Sequence, residues 1–139
     1  MTTSTANNQK KYFDLHTHGI GYVNRIREIP GKHGSSFWVC DISALHGEEN
    51  AIEYTNFDCR VSGAQATKII SDLDEACQKE KKILIGFKVG DLTPETFTYK
   101  SGKKQGTVGI NLKARLLSIS WAKVEGVSVY AAPKPEHQS

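Results

Sequence analysis

The chain's nearest approach to catalytic chemistry is Asp14-Leu15-His16-Thr17-His18, a His-x-His pair just past a carboxylate. Residues two apart on a strand share a face, so the two imidazoles would stand side by side and offer two nitrogen ligands to a divalent metal. Many metal-dependent hydrolases begin this way and take their remaining ligands from the ends of later barrel strands. Such a (β/α)₈ barrel needs at least about 200 residues, whereas this chain has 139 and a single helical pattern. His33 and His46 fall in turn-like segments and His137 near the C-terminus, none beside a carboxylate at a strand end. A smaller zinc site that draws Cys40 and Cys59 toward His16 and His18 meets a conflict of phase. Cys59 alternates with apolar residues, as a small buried hydrophobe does, while the histidines take the polar phase of their strand. There the histidines can donate to phosphate or stack on a base. Neither G-x-S-x-G nor GxxxxGK[ST] occurs, and Gly19-Ile20-Gly21 lacks the third glycine of a dinucleotide loop. The expectation is a protein that is not an enzyme, with no catalytic residue, no metal and no cofactor. A metal-dependent hydrolase using His16 and His18 is the last of its alternatives.

A second set of residues suits a different chemistry. Phe97-Thr98-Tyr99-Lys100-Ser101-Gly102-Lys103-Lys104 places two rings and three lysines around a glycine-bearing tip, and smaller clusters are Tyr22 with Arg25 and Arg27, Lys113 with Arg115, and Trp121 with Lys123. Unpaired nucleic acid is bound by this pairing: cations track the phosphates, and flat rings accept stacked bases at ~1–3 kcal/mol each. The predicted phosphate contacts are Arg25, Arg27, Lys88, Lys100, Lys103, Lys104, Lys113 and Arg115. The predicted base contacts are Tyr22, Tyr54, Phe97 and Tyr99, because tyrosines tolerate exposure beside charges. Phe57, Phe87 and at least one of Trp38 and Trp121 are expected in the core. A duplex is read by an inserted helix or ribbon, and the one helix here has an acidic exposed face, so duplex reading is disfavoured. Nothing in the sequence distinguishes DNA from RNA.

The elements that must position these residues read mostly as strands. Tyr12–Ile29 alternates, with Gly19 and Gly21 as a bulge or bend. Residues 30–34 (PGKHG) make a turn, Ser36–Leu45 a second strand, HGEEN (46–50) another turn, and Ile52–Val61 a third strand. Ala66, Ile69, Ile70, Leu73, Ala76 and Cys77 recur at helical spacing and predict an amphipathic helix from about residue 64 to 81. Ser62 and Gln65 have the spacing of a capping box. Strands resume at 83–89, then a hairpin runs through Thr96–Lys100, a tip at 101–106 and a long final section to about Lys123, followed by a turn into VSVYAA. Three strands, one helix and two or three more strands predict a mainly β protein. Its expected form is an OB (oligonucleotide/oligosaccharide-binding) barrel of five to six strands with one α-helix after the third strand. The expected organisation is a tail at 1–10, one domain at 11–132 and a tail at 133–139.

The net charge of +3 is unevenly spread: residues 1–40 carry five Lys/Arg against two Asp/Glu, 41–78 two against eight, and 79–139 eleven against five. That polarity points to a basic face and a polyanionic partner. Cys40, Cys59 and Cys77 form no CxxC and are odd in number, which predicts reduced thiols in a cytoplasmic protein. No long apolar run exists to span a membrane, and MTTSTANNQKK lacks a signal's apolar stretch.

GIGYVNRIREI, FWVCDISALHG, FDCRVSGAQATKI and FTYKSGKKQGTVGINLKARLLSISW together resemble a small family associated with replication functions of integrative conjugative elements. That resemblance runs from Tyr12 to about Tyr130. More loosely, the layout is similar to bacterial single-stranded DNA-binding proteins, in the glycine after the first strand, the Ser62-Gly63 before the helix and the basic hairpin before a long last strand. The resemblance implies an OB fold that binds single-stranded DNA without cutting it, as a homo-oligomer (a dimer or tetramer), during replication or transfer of a mobile element. Replication or conjugation proteins are the further partners it implies. PKPEHQS does not match the acidic, aromatic-tipped tail of the bacterial single-strand binders. The alternative from another class is an OB-fold protein–protein assembly module of a conjugation or replication complex.

Overall fold

The computed structural model describes residues 12–132, and the expected tails at 1–10 and 133–139 lie outside the described residues. Six strands and one helix follow in the order β1 (His16–Pro30), β2 (Ser36–Glu48), β3 (Ala51–Val61), α1 (Ala64–Gln78), β4 (Ile83–Thr98), β5 (Val108–Val124) and β6 (Val127–Ala131). The mainly β character and the single helix after the third strand are as expected. The strands form one sheet in the order β3-β2-β1-β4-β5-β6, and an additional pairing of β3 with β5 closes the first five into a ring. Neighbours are antiparallel except at that closure, where Phe57–Val61 runs parallel to Leu112–Leu116.

Alternation divides the ring into two surfaces. Val23, Cys40, Ile42, Phe57, Cys59, Ile85, Phe87, Val89, Leu116 and Ile119 are buried within one core cluster, which the buried stripe of α1 (Ala66, Ile69, Ile70 and Leu73) joins. Phe57 and Phe87 meet edge to face at 6.3 Å between centroids, inside as expected. Trp38 is half-buried against the same cluster.

Several boundaries depart from the sequence expectation. Tyr12–Leu15 is not strand, and Phe13 and Leu15 are almost fully exposed. β2 and β3 pair out to Glu48 and Ala51, which shortens the HGEEN turn to two residues. Gly19 and Gly21 lie in unbroken ladder register, and the bulge falls instead between Asn24 and Arg27, where Arg25 has φ 53°. A Cβ at Gly21 would sit 2.8 Å from Ile42 Cγ2, so that glycine serves close packing rather than bending. The capping box is absent: Gly63 is the N-cap and no side chain caps the helix. Gln65 instead donates through Nε2 to the Ile119 carbonyl (2.6 Å) and the Tyr130 hydroxyl (2.8 Å) and accepts the Ile119 N–H on Oε1 (3.1 Å). Helix α1 stops at Gln78, three residues before the expected end.

Candidate nucleic-acid interface

The predicted site residues fall into three regions. The first is a cleft of about 1040 Å³ between the outer surface of β1–β2–β3 and the segment that leaves α1. Tyr22, Arg25, Arg27 and Tyr54, four of the predicted contacts, line it together. The ladder explains the meeting. Tyr22 lies opposite Ser43, which lies opposite Asn56, and Tyr54 is two residues before Asn56 on the same outward phase. The β1 bulge swings Arg25 and Arg27 over the same wall, with Arg27 Nη1 donating to the Arg25 carbonyl at 2.8 Å. Lys81 and Lys82 close the opposite side; they belong to the short link that follows α1 and are not among the predicted contacts. Arg25 is paired with Asp41 at 2.8 Å, and Glu80 is the one carboxylate among the lining residues, so cations prevail. Tyr54 remains 54% exposed and presents a free ring.

The second region is the arm in which β4 and β5 run on past the ring, from Glu95 opposite Asn111 to Thr98 opposite Val108. Phe97 and Tyr99 pack edge to face at 4.8 Å, and a Cβ at Gly109 would meet both rings within 2.9 Å. Lys104 Nζ lies 5.6 Å from the Tyr99 ring centroid. Lys100 and Lys103 are exposed beside it at the turn. The aromatics therefore brace the arm through Gly109 while the lysines surround its tip.

The third region is the outer surface of β1–β4–β5, where Lys88 lies opposite His18 and Arg115 opposite Gly90. Arg115 Nε donates to Asp91 at 3.1 Å. Lys113, one row away beside β3, donates to Asp58 at 2.8 Å and sits 3.8 Å from Glu95. The Asp58 hydrogen bond raises the Lys113 pKa and commits its charge to a carboxylate, so Lys113 is the least available of the predicted phosphate contacts.

His16 and His18 face outward while Cys40 and Cys59 face each other in the core, so the four share no site. Burial raises both thiols, Cys40 well above its ordinary value and Cys59 to about 12, which keeps them protonated and poor nucleophiles. Among the described residues, no three His, Cys, Asp or Glu side chains come together as metal ligands, and no helix is long and apolar enough to cross a membrane.

Comparison with known proteins assigns the chain to one family. It belongs to the family described as "Protein of unknown function (DUF3577)", whose model matches residues 6–138. No curated protein and no solved structure matches it.

Proposed function

We propose that this member of the family binds single-stranded DNA without catalysis, on an OB barrel, in the cytoplasm, during replication or transfer of a mobile genetic element. The barrel identification is supported by a five-strand ring in the order 1-2-3-5-4-1 with its helix between the third and fourth strands, the layout of an OB fold. OB folds bind oligonucleotides over the face of strands 2 and 3 and with the loops between strands 1 and 2 and between strands 4 and 5. The cleft lies against that surface and the lysine-tipped arm occupies the loop between strands 4 and 5. The observation that carries the proposal is the convergence of Tyr22 and Tyr54 with Arg25, Arg27, Lys81 and Lys82 on one open cleft. Rings and cations in one groove, with carboxylates in the minority, fit an unpaired strand whose bases are free to stack.

The test is fluorescence anisotropy with labelled poly-dT, duplex DNA and RNA over a range of salt concentrations. Poly-dT is expected to bind most tightly, with affinity falling linearly in log salt. Tyr54→Ala should weaken it by about 5- to 150-fold, the equivalent of ~1–3 kcal/mol per stacked base. Salt-independent or absent binding of every probe overturns the proposal.

An assembly module is the second reading, favoured by the outer edge of β6, unpaired among the described residues, with Val127 66% and Val129 54% exposed. It predicts a defined oligomer with no affinity for poly-dT, whereas the two roles coexist if the DNA-binding form is itself a dimer or tetramer.

A further inference from the structure

Beside the cleft, β1, β4, β5 and β6 form a second outward wall. The ladders of β1, β4, β5 and β6 bring four rows to one outward face: His16–Gly90–Arg115, His18–Lys88–Ser118, Ile20–Gly86–Trp121–Ala131 and Tyr22–Leu84–Lys123–Ser128. None of these positions is a carboxylate. Lys88, Arg115 and Lys123 are cations, and the histidines add ring N–H donors; Asp91, just past the wall, holds Arg115.

The middle strand supplies glycine at the two places where a ring lies across it. A Cβ at Gly86 would be 2.5 Å from the Trp121 Nε1 and 2.9 Å from its Cε2, and one at Gly90 would be 3.1 Å from the His16 Cδ2. Trp121 is thus laid against backbone on one side. Lys123 Nζ lies over the ring, 5.7 Å from its centroid. Ile20, opposite Gly86 in the Trp121 row, is 45% exposed. A half-buried tryptophan seated on a glycine floor, with an ammonium beside it and no acid in the surrounding rows, has the make-up of a base-stacking platform with a phosphate contact.

We infer that Trp121 is a base-stacking residue, with Lys123 and Lys88 on the adjoining phosphates, so that an unpaired strand leaving the cleft crosses Tyr22 and continues over the β1–β4–β5 wall. The inference rests on the single-stranded DNA reading above and extends it from the cleft to the face that carries Lys88, with Trp121 as a base contact outside the predicted set. Tyr22 is the hinge of the path, since it lines the cleft and also heads the Lys123 row.

Trp38 and Trp121 are the two tryptophans of the chain, which makes the test direct. In the Trp38→Phe protein the remaining emission belongs to Trp121, and oligo-dT is expected to quench it saturably, with the midpoint given by the anisotropy of the labelled oligonucleotide. Trp121→Phe in the otherwise unaltered chain serves if Trp38→Phe fails to fold: it should remove the quenching while anisotropy still reports binding. Trp121→Ala is expected to weaken binding about 5- to 150-fold, on the scale of ~1–3 kcal/mol per stacked base. Binding by anisotropy with unchanged Trp121 emission overturns this inference and leaves the cleft standing. No binding in either readout overturns both.

Discussion

From the first turn of α1, Gln65 reaches across 54 residues of sequence to hold both the N–H and the carbonyl of Ile119, and it also meets the hydroxyl of Tyr130 on the edge strand. One amide thereby joins helix, ring and sixth strand. Gln65→Ala would leave two backbone groups of a buried residue unsatisfied, at a cost of about 1–3 kcal/mol. Urea unfolding of the variant should show that loss as a lower midpoint with an unchanged slope. In the sequence this residue looked like half of a capping box, because Ser-x-x-Gln has the right spacing. The local pattern carried no sign of the competing partner, which the fold brings in from β5. The core aromatics were legible for the opposite reason: Phe57 and Phe87 sit on the apolar phase of their strands, and phase is a local property. Trp121 was harder, since its burial comes from a glycine on another strand rather than from its own neighbours.

At the level of elements, the hairpin was the most readable part of the chain. Ser101–Gly106 carries its own turn chemistry, with Gly102 and Gly106 at φ 83° and 86°, a left-handed conformation that glycine adopts without strain. Its extent was less visible, because β4 and β5 run through the position where Asp91 adopts φ 53° and the ladder slips, so one continuous arm looked like two strands. The bulge in β1 was misplaced for a related reason. Glycine marks both bends and close contacts, and here Gly19 and Gly21 serve contacts with Phe87 and Ile42 while Arg25 makes the bend. The arm's lysines have a testable consequence of their own. If Lys103 and Lys104 each neutralise one phosphate, Lys103→Ala with Lys104→Ala should lower the log-salt slope of poly-dT binding by about 1.4, at ~0.7 per phosphate on a single strand. An unchanged slope removes the arm from the interface and leaves the cleft as the binding surface.

For the molecule as a whole, strand content, helix position and strand number followed from alternation and spacing, whereas the partition of the predicted contacts did not. Twelve positions read as one basic, aromatic set are divided among cleft, arm and wall, and three of the cations, Arg25, Lys113 and Arg115, are held by carboxylates. Charge counted along a sequence includes such committed cations; charge on a surface does not. The core has a whole-molecule property too. Cys59 keeps its proton up to about 12 in the folded ring, and burial also raises Cys40 well above the same ordinary value of 9.0. A raised thiol stabilises the fold fully below about pH 9, and that contribution drains away as the pH climbs toward the folded value, since the unfolded chain ionises first. Thermal melts should therefore hold level to pH 9 and fall above it, and Cys59→Ala should flatten part of that alkaline decline.

Closure by a parallel pair has an implication for biogenesis. Phe57–Val61 and Leu112–Leu116 become neighbours only when the second segment exists, so the ring has no seam to zip from while the ribosome is still making β4. The antiparallel meander of β1–β3 and the helix after it wait, apolar sides uncovered, until translation passes residue 116. A nascent chain arrested at residue 110 should be digested readily by protease, and one long enough to expose β5 from the exit tunnel should resist.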